Sequence, residues 1–93
     1  MPWTWDEKKA AANLVKHRVP FELAVQVFTD PLQLSEPDPY EDEARWRTIG
    51  QPLPDHPLLL FVVHTDDNGE GGRIISARKA TPHERKAYEN AIR

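Results

Sequence analysis

The sequence predicts an α+β domain with two N-terminal helices, an antiparallel three- to four-stranded sheet and a C-terminal helix. Three observations predict it. Apolar residues recur at helical spacing near the N-terminus and at strand spacing in the middle, and a helix-start motif follows the last strand. The 93 residues are enough for one domain, residues 1–93, with one hydrophobic core. This order of elements is typical of helices packed on one sheet.

Two helices are predicted first. Asp6 is a good N-cap for a helix from Lys8 to His17, whose apolar stripe is Ala10, Ala11, Leu14 and Val15. A second helix is predicted to begin at Pro20, which is tolerated in the first helical position. It has one apolar side, formed by Phe21, Ala24, Val25 and Phe28. Asp30-Pro31 ends it, because helical geometry is disfavoured before proline.

Three or four strands follow. Leu32–Ser35 is a candidate short strand, and residues 36–43 form an exposed loop with two prolines and five acids. Ala44–Ile49 alternates, so Trp46 and Thr48 face the core while Arg45, Arg47 and Ile49 face the other way. After a proline-rich turn over residues 50–57, Leu58–Thr65 is the strongest strand and is predicted to be central.

The last strand and the last helix complete the domain. Residues 66–72 are a hairpin connection, and Arg73–Ala80 is the next strand. Alternation places Ile74, Ser76 and Arg78 on one of its faces. Thr81, Pro82 and Glu84 form a capping-box helix start. The helix is predicted to run to about Ile92, with Tyr88, Ala91 and Ile92 on one side.

The net charge of −3 argues against a nucleic-acid ligand until it is divided along the chain. Residues 1–19 carry +2, residues 20–70 carry two basic against eleven acidic residues, and residues 71–93 carry +4. If the two basic ends meet in space, the domain has a basic face on an acidic body.

Several classes of protein are excluded or disfavoured. Four histidines without zinc-ligand spacing, and no cysteine, disfavour a zinc site. Residues 66–77 begin like a calcium loop, but Ala77 stands where a bidentate Glu is required. Phosphate-binding glycine motifs are absent, and the longest apolar run, Leu58–Val63, is too short to span a membrane. We predict no metal, no cofactor and a cytoplasmic location.

Two groups of polar residues are candidates for function. Lys9, Asn13, Lys16 and His17 share a face of the first helix and suit a phosphate, although a solvated face is the simpler interpretation. The strands offer Arg45 and Arg47, and then Arg73, Arg78 and Lys79. Structural ion pairing, to Glu84 or to the acidic loop, is the alternative role of this second group.

The residues resemble those of BrnT-type toxins over residues 3–90. The matching segments are Trp5-Asp6, Lys9, Asn13, Lys16-His17, Val19, Phe21, Phe28–Pro31, Glu43, Arg45-Trp46, Ile49-Gly50, Val62–Thr65, Arg73–Thr81, Glu84-Arg85 and Tyr88-Glu89. The chain differs at two places. Arg18 stands where the family usually has glycine, and Asp66-Asp67 stand where it often has a basic residue.

The resemblance implies a RelE-like fold and a type II toxin that cuts RNA and blocks translation. It also implies a neighbouring BrnA-type antitoxin, a ribbon-helix-helix DNA-binding protein that neutralises the toxin. We expect the two to co-purify. Dimerisation is expected in the toxin itself or through the antitoxin, as a homodimer or a heterotetramer. No membrane partner is expected.

Metal-free RNA cleavage needs a base, an acid and cations for the phosphorane charge. We predict Lys9, Arg45 and Arg78 as electrostatic stabilisers and His17 as the titrating group, with His64 the other histidine considered for that role. The predicted substrate-binding residues are Lys16, Arg47, His64, Arg73 and Lys79. Glu84 and Tyr88 are further candidates, although the capping box already explains Glu84.

Two alternatives to a ribonuclease stay open at this point. In one, the domain is a catalytically weak or inactive interaction module that binds an antitoxin or a second copy of itself. In the other, it acts on translation or DNA topology without cutting RNA. A fold by itself does not choose between them.

Overall fold

The computed structural model describes residues 3–65 and 71–91. It contains the α-helices α1 (Glu7–His17), α2 (Phe21–Ala24) and α3 (Pro82–Ala91), and a 3-10 helix over Val25–Thr29. The strands are β1 (Leu34–Pro37), β2 (Arg45–Gly50), β3 (Leu60–Thr65) and β4 (Ile74–Lys79). The α+β class, the approximate positions of the helices and the antiparallel sheet are as predicted. No helix in the described ranges is long and apolar enough to cross a membrane.

The sheet has the order β1-β2-β3-β4, and every neighbouring pair is antiparallel. Trp46 lies opposite His64, and Thr48 lies opposite Val62, so these residues share one face. Arg45, Arg47 and Ile49 share the other face, because side chains alternate along a strand. Both assignments for β2 agree with the prediction from its alternation.

The capping signals act as predicted. The Asp6 carboxylate accepts hydrogen bonds from the amides of Lys8 and Lys9, at 2.8 and 3.1 Å. At α3, Glu84 accepts from the Thr81 amide at 2.8 Å, and the Glu84 amide donates to the Thr81 hydroxyl at 3.1 Å. This reciprocal pair is a capping box and fixes where α3 begins, immediately after the sheet.

The second helix differs from its prediction. The α-helical part is only Phe21–Ala24, Pro20 is its N-cap rather than its first residue, and the chain continues as a tighter 3-10 helix. Asp30 does end the segment, with an extended backbone at φ −72° and ψ 116°. The apolar spacing predicted a helix correctly but did not distinguish the two kinds of turn, because both bury the same side.

The face assignment of Ile74 was wrong. Ile74 lies opposite His64 and is buried in the same core as Ala77, whereas Ser76 and Arg78 lie opposite Val63 and Phe61 on the other face. A register irregularity between Val63 and His64 inserts an extra residue into β4. Such a bulge breaks the strict alternation on which the prediction depended.

α1 covers the outer edge of β4. The side chain of Asn13, 7% exposed, donates to the carbonyl of Ala77 at 2.8 Å and accepts from its amide at 3.2 Å, as a neighbouring strand would. It also donates to the Val19 carbonyl at 3.0 Å. Nearby, Thr4 pairs in parallel with Arg73. Asn13 is therefore a structural residue that protects an exposed sheet edge, not part of a phosphate-binding face.

Two apolar clusters hold the elements together. The larger lies between the sheet and the N-terminal helices, and its buried members are Trp3, Val19, Phe21, Ala24, Val25, Val27, Leu60, Val62, Ile74 and Ala77. Trp3 stacks on Phe28 with ring centroids 4.2 Å apart. The smaller cluster lies under α3 on the opposite face, where Tyr88 packs with Ile49 and Leu59. Because α3 covers only that end, the rest of the second face stays partly exposed.

Arg18 keeps the backbone that a glycine would adopt. It is the C-cap of α1 in the left-handed conformation, with φ 61° and ψ 26°, and its amide donates to the Leu14 carbonyl at 2.9 Å. The turn is therefore retained rather than reshaped. A non-glycine residue there costs about 1–2 kcal/mol of backbone strain.

We expect Gly50→Ala to destabilise the domain by about 1–3 kcal/mol, because the site has no room for a methyl group. A Cβ at Gly50 would lie 2.9 Å from Val27 Cβ and 3.1 Å from the Val27 carbonyl oxygen. Urea unfolding of the two proteins measures the effect. An unchanged midpoint would mean that the 3-10 helix does not pack closely on β2.

Candidate active site

Four arginines lie on the sheet face opposite the N-terminal helices. We call them the arginine face: Arg45, Arg47, Arg73 and Arg78. Arg45 and Arg47 come from β2, Arg78 from β4, and Arg73 immediately precedes β4. The bulge in β4 contributes to the arrangement, since it sends Ile74 to the core while Arg78 stays on the open face.

Glu43 joins two of these arginines. Its Oε1 lies 3.1 Å from Arg45 Nε and also accepts from Arg73 Nη2. The Arg45 guanidinium lies 3.7 Å from the centroid of the Tyr40 ring. The Arg45 hydrogen bond is the main cause that lowers the pKa of Glu43. Arg45 is thus held at its Nε edge and against a ring, and its terminal Nη1 and Nη2 have no hydrogen-bond partner in the described chain.

Arg47 has a weaker attachment. Its Nε is 3.0 Å from Oε1 of Glu36, close enough for an ion pair. The same buried Nε has no hydrogen-bond partner within the described residues, so its N–H does not point at that oxygen. The contact is therefore ionic only. The Arg47 donors and the Glu36 acceptors stand next to each other without satisfying each other.

Arg78 is the most firmly placed arginine. It makes a bidentate pair with Glu84, Nη1 to Oε1 at 2.8 Å and Nη2 to Oε2 at 2.9 Å, and lies 4.2 Å from the centroid of the Phe61 ring. Nη1 also donates to the Lys79 carbonyl at 3.2 Å. The Arg78 hydrogen bond is the largest effect lowering the pKa of Glu84, and it outweighs the burial that would raise it.

The pairing leaves one edge of the Arg78 fork available. A guanidinium has two edges that match a phosphate, the Nη1–Nη2 end and the Nε–Nη2 side. Glu84 takes the end, and Nε has no partner among the described residues. The structural role predicted as an alternative, ion pairing to Glu84, is thus present and still leaves donors for a phosphate. Glu84 therefore holds Arg78 in place, while the Nε–Nη2 edge of its guanidinium stays open.

The arginine face retains an excess of positive charge. Its four guanidinium groups meet three carboxylates, from Glu36, Glu43 and Glu84. Glu43 and Glu36 both come from the acidic stretch that made the middle of the chain so negative. The ion pairs are partly exposed, so each contributes little to stability. Their effect is to orient the arginines and moderate the field around them.

Two predicted substrate-binding residues lie elsewhere. His64 is 6% exposed and sits on the core face, where its Nε2 is 2.7 Å from Thr48 Oγ1 and its ring meets Trp3 edge-on at 5.3 Å. We correct its assignment to a structural one, since a buried, hydrogen-bonded ring under a tryptophan is not accessible to RNA. Lys79 lies opposite Leu60, so its side chain points away from the face that carries Arg78.

The predicted residues of α1 are also separate from the arginine face. Lys9 and Lys16 are exposed and His17 is half-buried, and they flank Asn13, which binds the edge of β4. Their side chains have no hydrogen bond or ion pair within residues 3–65 and 71–91. The structure therefore brings together Arg45, Arg47, Arg73 and Arg78, and leaves Lys9, Lys16 and His17 on α1, which lies along the edge of β4.

A cavity of about 330 Å³ adjoins the arginine face between the sheet and α3. Its lining residues are Leu34, Glu36, Arg47, Ile49, Phe61, His83, Glu84 and Ala87. His83 was not among the predicted site residues, because the sequence explained it as part of the α3 start. The signal was its position two residues after the capping threonine, at the start of the helix that follows the strand carrying Arg78.

Tyr88 has a buried partner that the sequence did not indicate. Its hydroxyl donates to Asp30 Oδ2 at 2.6 Å, and that carboxylate also accepts from the amides of Gln51 and Leu32. Burial, followed by the Asp30 hydrogen bond, raises the pKa of Tyr88 to about 12. Burial would raise the pKa of Asp30, but its three hydrogen bonds outweigh this and lower it. Tyr88 therefore ties α3 to the sheet.

Asp66 and Asp67, which stand where BrnT-type toxins often have a basic residue, lie outside the described ranges.

Comparison with known proteins identifies a family and a similar solved structure. A family model described as "Ribonuclease toxin, BrnT, of type II toxin-antitoxin system" matches residues 5–84. A crystal structure of the Brucella abortus ribonuclease toxin BrnT is similar, with a TM-score of 0.61 and 24% identity, over 84% of this chain and 94% of that one. At this identity the structural match shows the fold. No curated protein sequence matches the chain.

Proposed function

Since the chain belongs to the BrnT family of ribonuclease toxins of type II toxin–antitoxin systems, we propose that it is a metal-independent endoribonuclease. It cleaves RNA on the arginine face and inhibits translation. The observation that carries the proposal is the arginine face itself: guanidinium groups from two strands and a neighbouring segment, each held at one edge by a glutamate and open at another. Such fixed donors stabilise charge that develops on a phosphorane.

The reaction begins at the RNA 2′-hydroxyl. A base removes its proton, the O2′–P bond forms, and the P–O5′ bond breaks as an acid protonates the departing 5′-oxygen. The products are a 2′,3′-cyclic phosphate and a 5′-hydroxyl. Arg47 and Arg78 hold the non-bridging oxygens of the phosphate, since their partners on β3, Val63 and Phe61, are only two residues apart. Arg45 and Arg73, which Glu43 joins, hold a neighbouring phosphate.

The titrating group is either His17 or His83. His17 is the residue favoured by the sequence, and it closes α1 beside β4. His83 is favoured by position, since it lines the same cavity as Arg47 and Glu84. The pH dependence of cleavage in His17→Gln and His83→Gln separates them, because loss of the titrating imidazole removes one limb of the profile. Lys9 has a supporting electrostatic role from α1.

The antitoxin is proposed to be a BrnA-type ribbon-helix-helix protein, in a heterotetramer with the toxin. An acidic or amphipathic segment that covers the arginine face would neutralise the toxin by competing with RNA. Co-expression with the neighbouring small gene product, followed by affinity purification, tests this pairing.

A second function is favoured by one observation, the neutralisation of the arginines by Glu36, Glu43 and Glu84. If phosphates do not displace or share these contacts, the domain is a catalytically weak module that binds an antitoxin or itself. The two functions differ in whether purified protein cuts RNA and whether its expression arrests growth.

The central experiment incubates the purified chain with a synthetic single-stranded RNA in EDTA, with and without ribosomes, and identifies the product ends. We expect cleavage in EDTA, with 2′,3′-cyclic phosphate and 5′-hydroxyl ends. The same RNA with a single 2′-deoxynucleotide at the cut position should stay intact there. Cleavage that requires a divalent ion and leaves 5′-phosphates would contradict the mechanism, and no cleavage in any arm would favour the module.

A further inference from the structure

The cavity beside the arginine face has the composition of a ligand site. Its floor is apolar, formed by Leu34, Ile49, Phe61 and Ala87, and its rim is polar, formed by Glu36, Arg47, His83 and Glu84. A volume of about 330 Å³ is at the small end of the range of ligand pockets. It fits one flat heterocycle rather than a peptide helix or a large cofactor.

We propose that this cavity binds a single unpaired guanine base of the RNA, adjacent to the phosphate held on the arginine face. The inference rests on the proposed ribonuclease function and names the sequence preference of that same site. Proteins that read RNA sequence do so mainly on single strands, where a splayed base stacks on aromatic rings or guanidinium planes. Phe61 provides an aromatic ring at the cavity floor, and the Arg78 guanidinium, 4.2 Å from the ring centroid, covers one side of that ring. Arg47 provides a guanidinium at the rim.

The cavity lies next to the arginines that are proposed to hold the phosphate. Arg47 belongs to both the arginine face and the cavity lining, and Glu84 lines the cavity while holding Arg78. A nucleotide whose phosphate contacts Arg47 and Arg78 therefore has its base beside the opening. Stacking of one base strengthens binding by about 5- to 150-fold in comparable sites, enough to hold it there.

The rim selects guanine because of the hydrogen-bonding groups left open. Glu36 is 60% exposed and makes only an ionic contact with Arg47, so both its oxygens accept. The oxygens of Glu84 are instead occupied by Arg78 and the Thr81 amide. The Watson–Crick edge of guanine presents O6 as an acceptor beside two adjacent N–H donors. Arg47 with Glu36 offers the matching order, a donor beside two acceptors.

The other three bases match less well. On this edge adenine has one donor and one acceptor, cytosine one donor and two acceptors, and uracil a single N–H between two acceptors. None of them presents two neighbouring N–H groups to the two Glu36 oxygens. A site that leaves such groups unpaired discriminates strongly, and a good bidentate pair corresponds to about 10- to 100-fold.

The first test measures binding without cleavage. NMR spectra of the isotope-labelled chain are recorded with guanosine, adenosine, cytidine and uridine 3′-monophosphates. We expect the Ala87 methyl and His83 ring signals to shift, with guanosine 3′-monophosphate binding about tenfold more tightly than the others. Equal affinities, or shifts confined to residues away from the cavity, would overturn the proposal.

The second test uses variants with matched controls. Glu36→Gln replaces one acceptor with a donor, and Ala87→Leu fills the cavity. Each should reduce the preference for guanine about tenfold, whether measured as mononucleotide binding or as cleavage of RNAs that differ in one base. The controls are Glu41→Gln in the acidic loop and Ala91→Leu at the end of α3, both exposed and outside the cavity lining. Unchanged selectivity in both test variants would end the proposal.

The two proposals fail separately. If the chain binds guanine selectively but cuts no RNA, the proposed guanine site is supported and the proposed ribonuclease activity is wrong. If the chain cleaves RNA in EDTA with no base preference, the proposed ribonuclease activity is supported and the proposed guanine site is wrong.

Discussion

Arg78→Ala is expected to reduce RNA cleavage by about 100-fold, which is the usual cost of removing one preorganised donor to a developing oxyanion. Arg78 is the arginine with the most rigid support, from Glu84 at 2.8 and 2.9 Å and from the Phe61 ring at 4.2 Å. Its open Nε–Nη2 edge is the proposed phosphate contact. The measurement is the single-turnover rate on a short RNA, together with growth after induced expression.

The matched control is Lys86→Ala, which removes one positive charge from an exposed position on α3 and should leave the rate within about twofold. Loss of Arg78 also leaves the Glu84 carboxylate unpaired. The double variant Arg78→Ala with Glu84→Gln removes that charge, so a rate that stays low in the double variant identifies a direct role for Arg78. If cleavage survives in Arg78→Ala, the arginine face is not the catalytic surface.

Asp30→Ala is expected to destabilise the domain by about 3–5 kcal/mol, because it leaves several donors without their acceptor. The carboxylate accepts from the Tyr88 hydroxyl at 2.6 Å, the Gln51 amide at 2.8 Å and the Leu32 amide at 2.9 Å. Asp30 is 7% exposed and Tyr88 is 6% exposed, so water does not replace these bonds easily. The loss is a large part of the typical stability of a small domain.

Urea unfolding of Asp30→Ala, Tyr88→Phe and the control Asp42→Ala measures the effect. Tyr88→Phe removes one of the three bonds and should cost about 1–2 kcal/mol, whereas Asp42 lies exposed in the loop and should cost nothing measurable. Equal midpoints for Asp30→Ala and Asp42→Ala would show that the buried carboxylate does not hold α3 to the sheet.

The pKa shifts of this pair give the prediction a pH dependence. The folded state lowers the pKa of Asp30 below its ordinary 3.8, so its contribution is present above about pH 4 and is lost as the pH falls through the folded pKa. The folded state raises the pKa of Tyr88 from 10.0 to about 12, so that contribution is present below pH 10.0 and is lost as the pH rises toward 12. The stability difference between wild type and Asp30→Ala should therefore shrink at both extremes.

The sequence determined much of this protein through local signals. Asp6 and the Thr81–Glu84 capping box fixed where two helices begin. The alternation in β2 placed Arg45 and Arg47 on the other face of the sheet from Trp46. The ordered motifs indicated the BrnT family. These features depend on neighbours within a few residues, where periodicity and capping chemistry have direct physical consequences.

The tertiary structure decided what depends on contacts between distant segments. Asn13 and Ala77 are 64 positions apart, and Asp30 and Tyr88 are 58, so no local pattern indicated their hydrogen bonds. The sequence predicted that His64 could contact RNA, whereas the structure buries it against Trp3 and Phe28. The bulge in β4 moved Ile74 to the core.

The basic face shows both contributions. The charge division along the chain predicted a basic face only if the cations of its two ends meet in space. The four arginines that the structure gathers come from the middle and the C-terminal segment, while Lys9 and Lys16 lie apart from them on α1. The sequence offered Arg45 and Arg47 as site residues and ion pairing to Glu84 or to the acidic loop as an alternative role, but only the structure shows which glutamate meets which arginine. Strand pairing determines which charges become neighbours, because it joins residues far apart in the chain across the same sheet face.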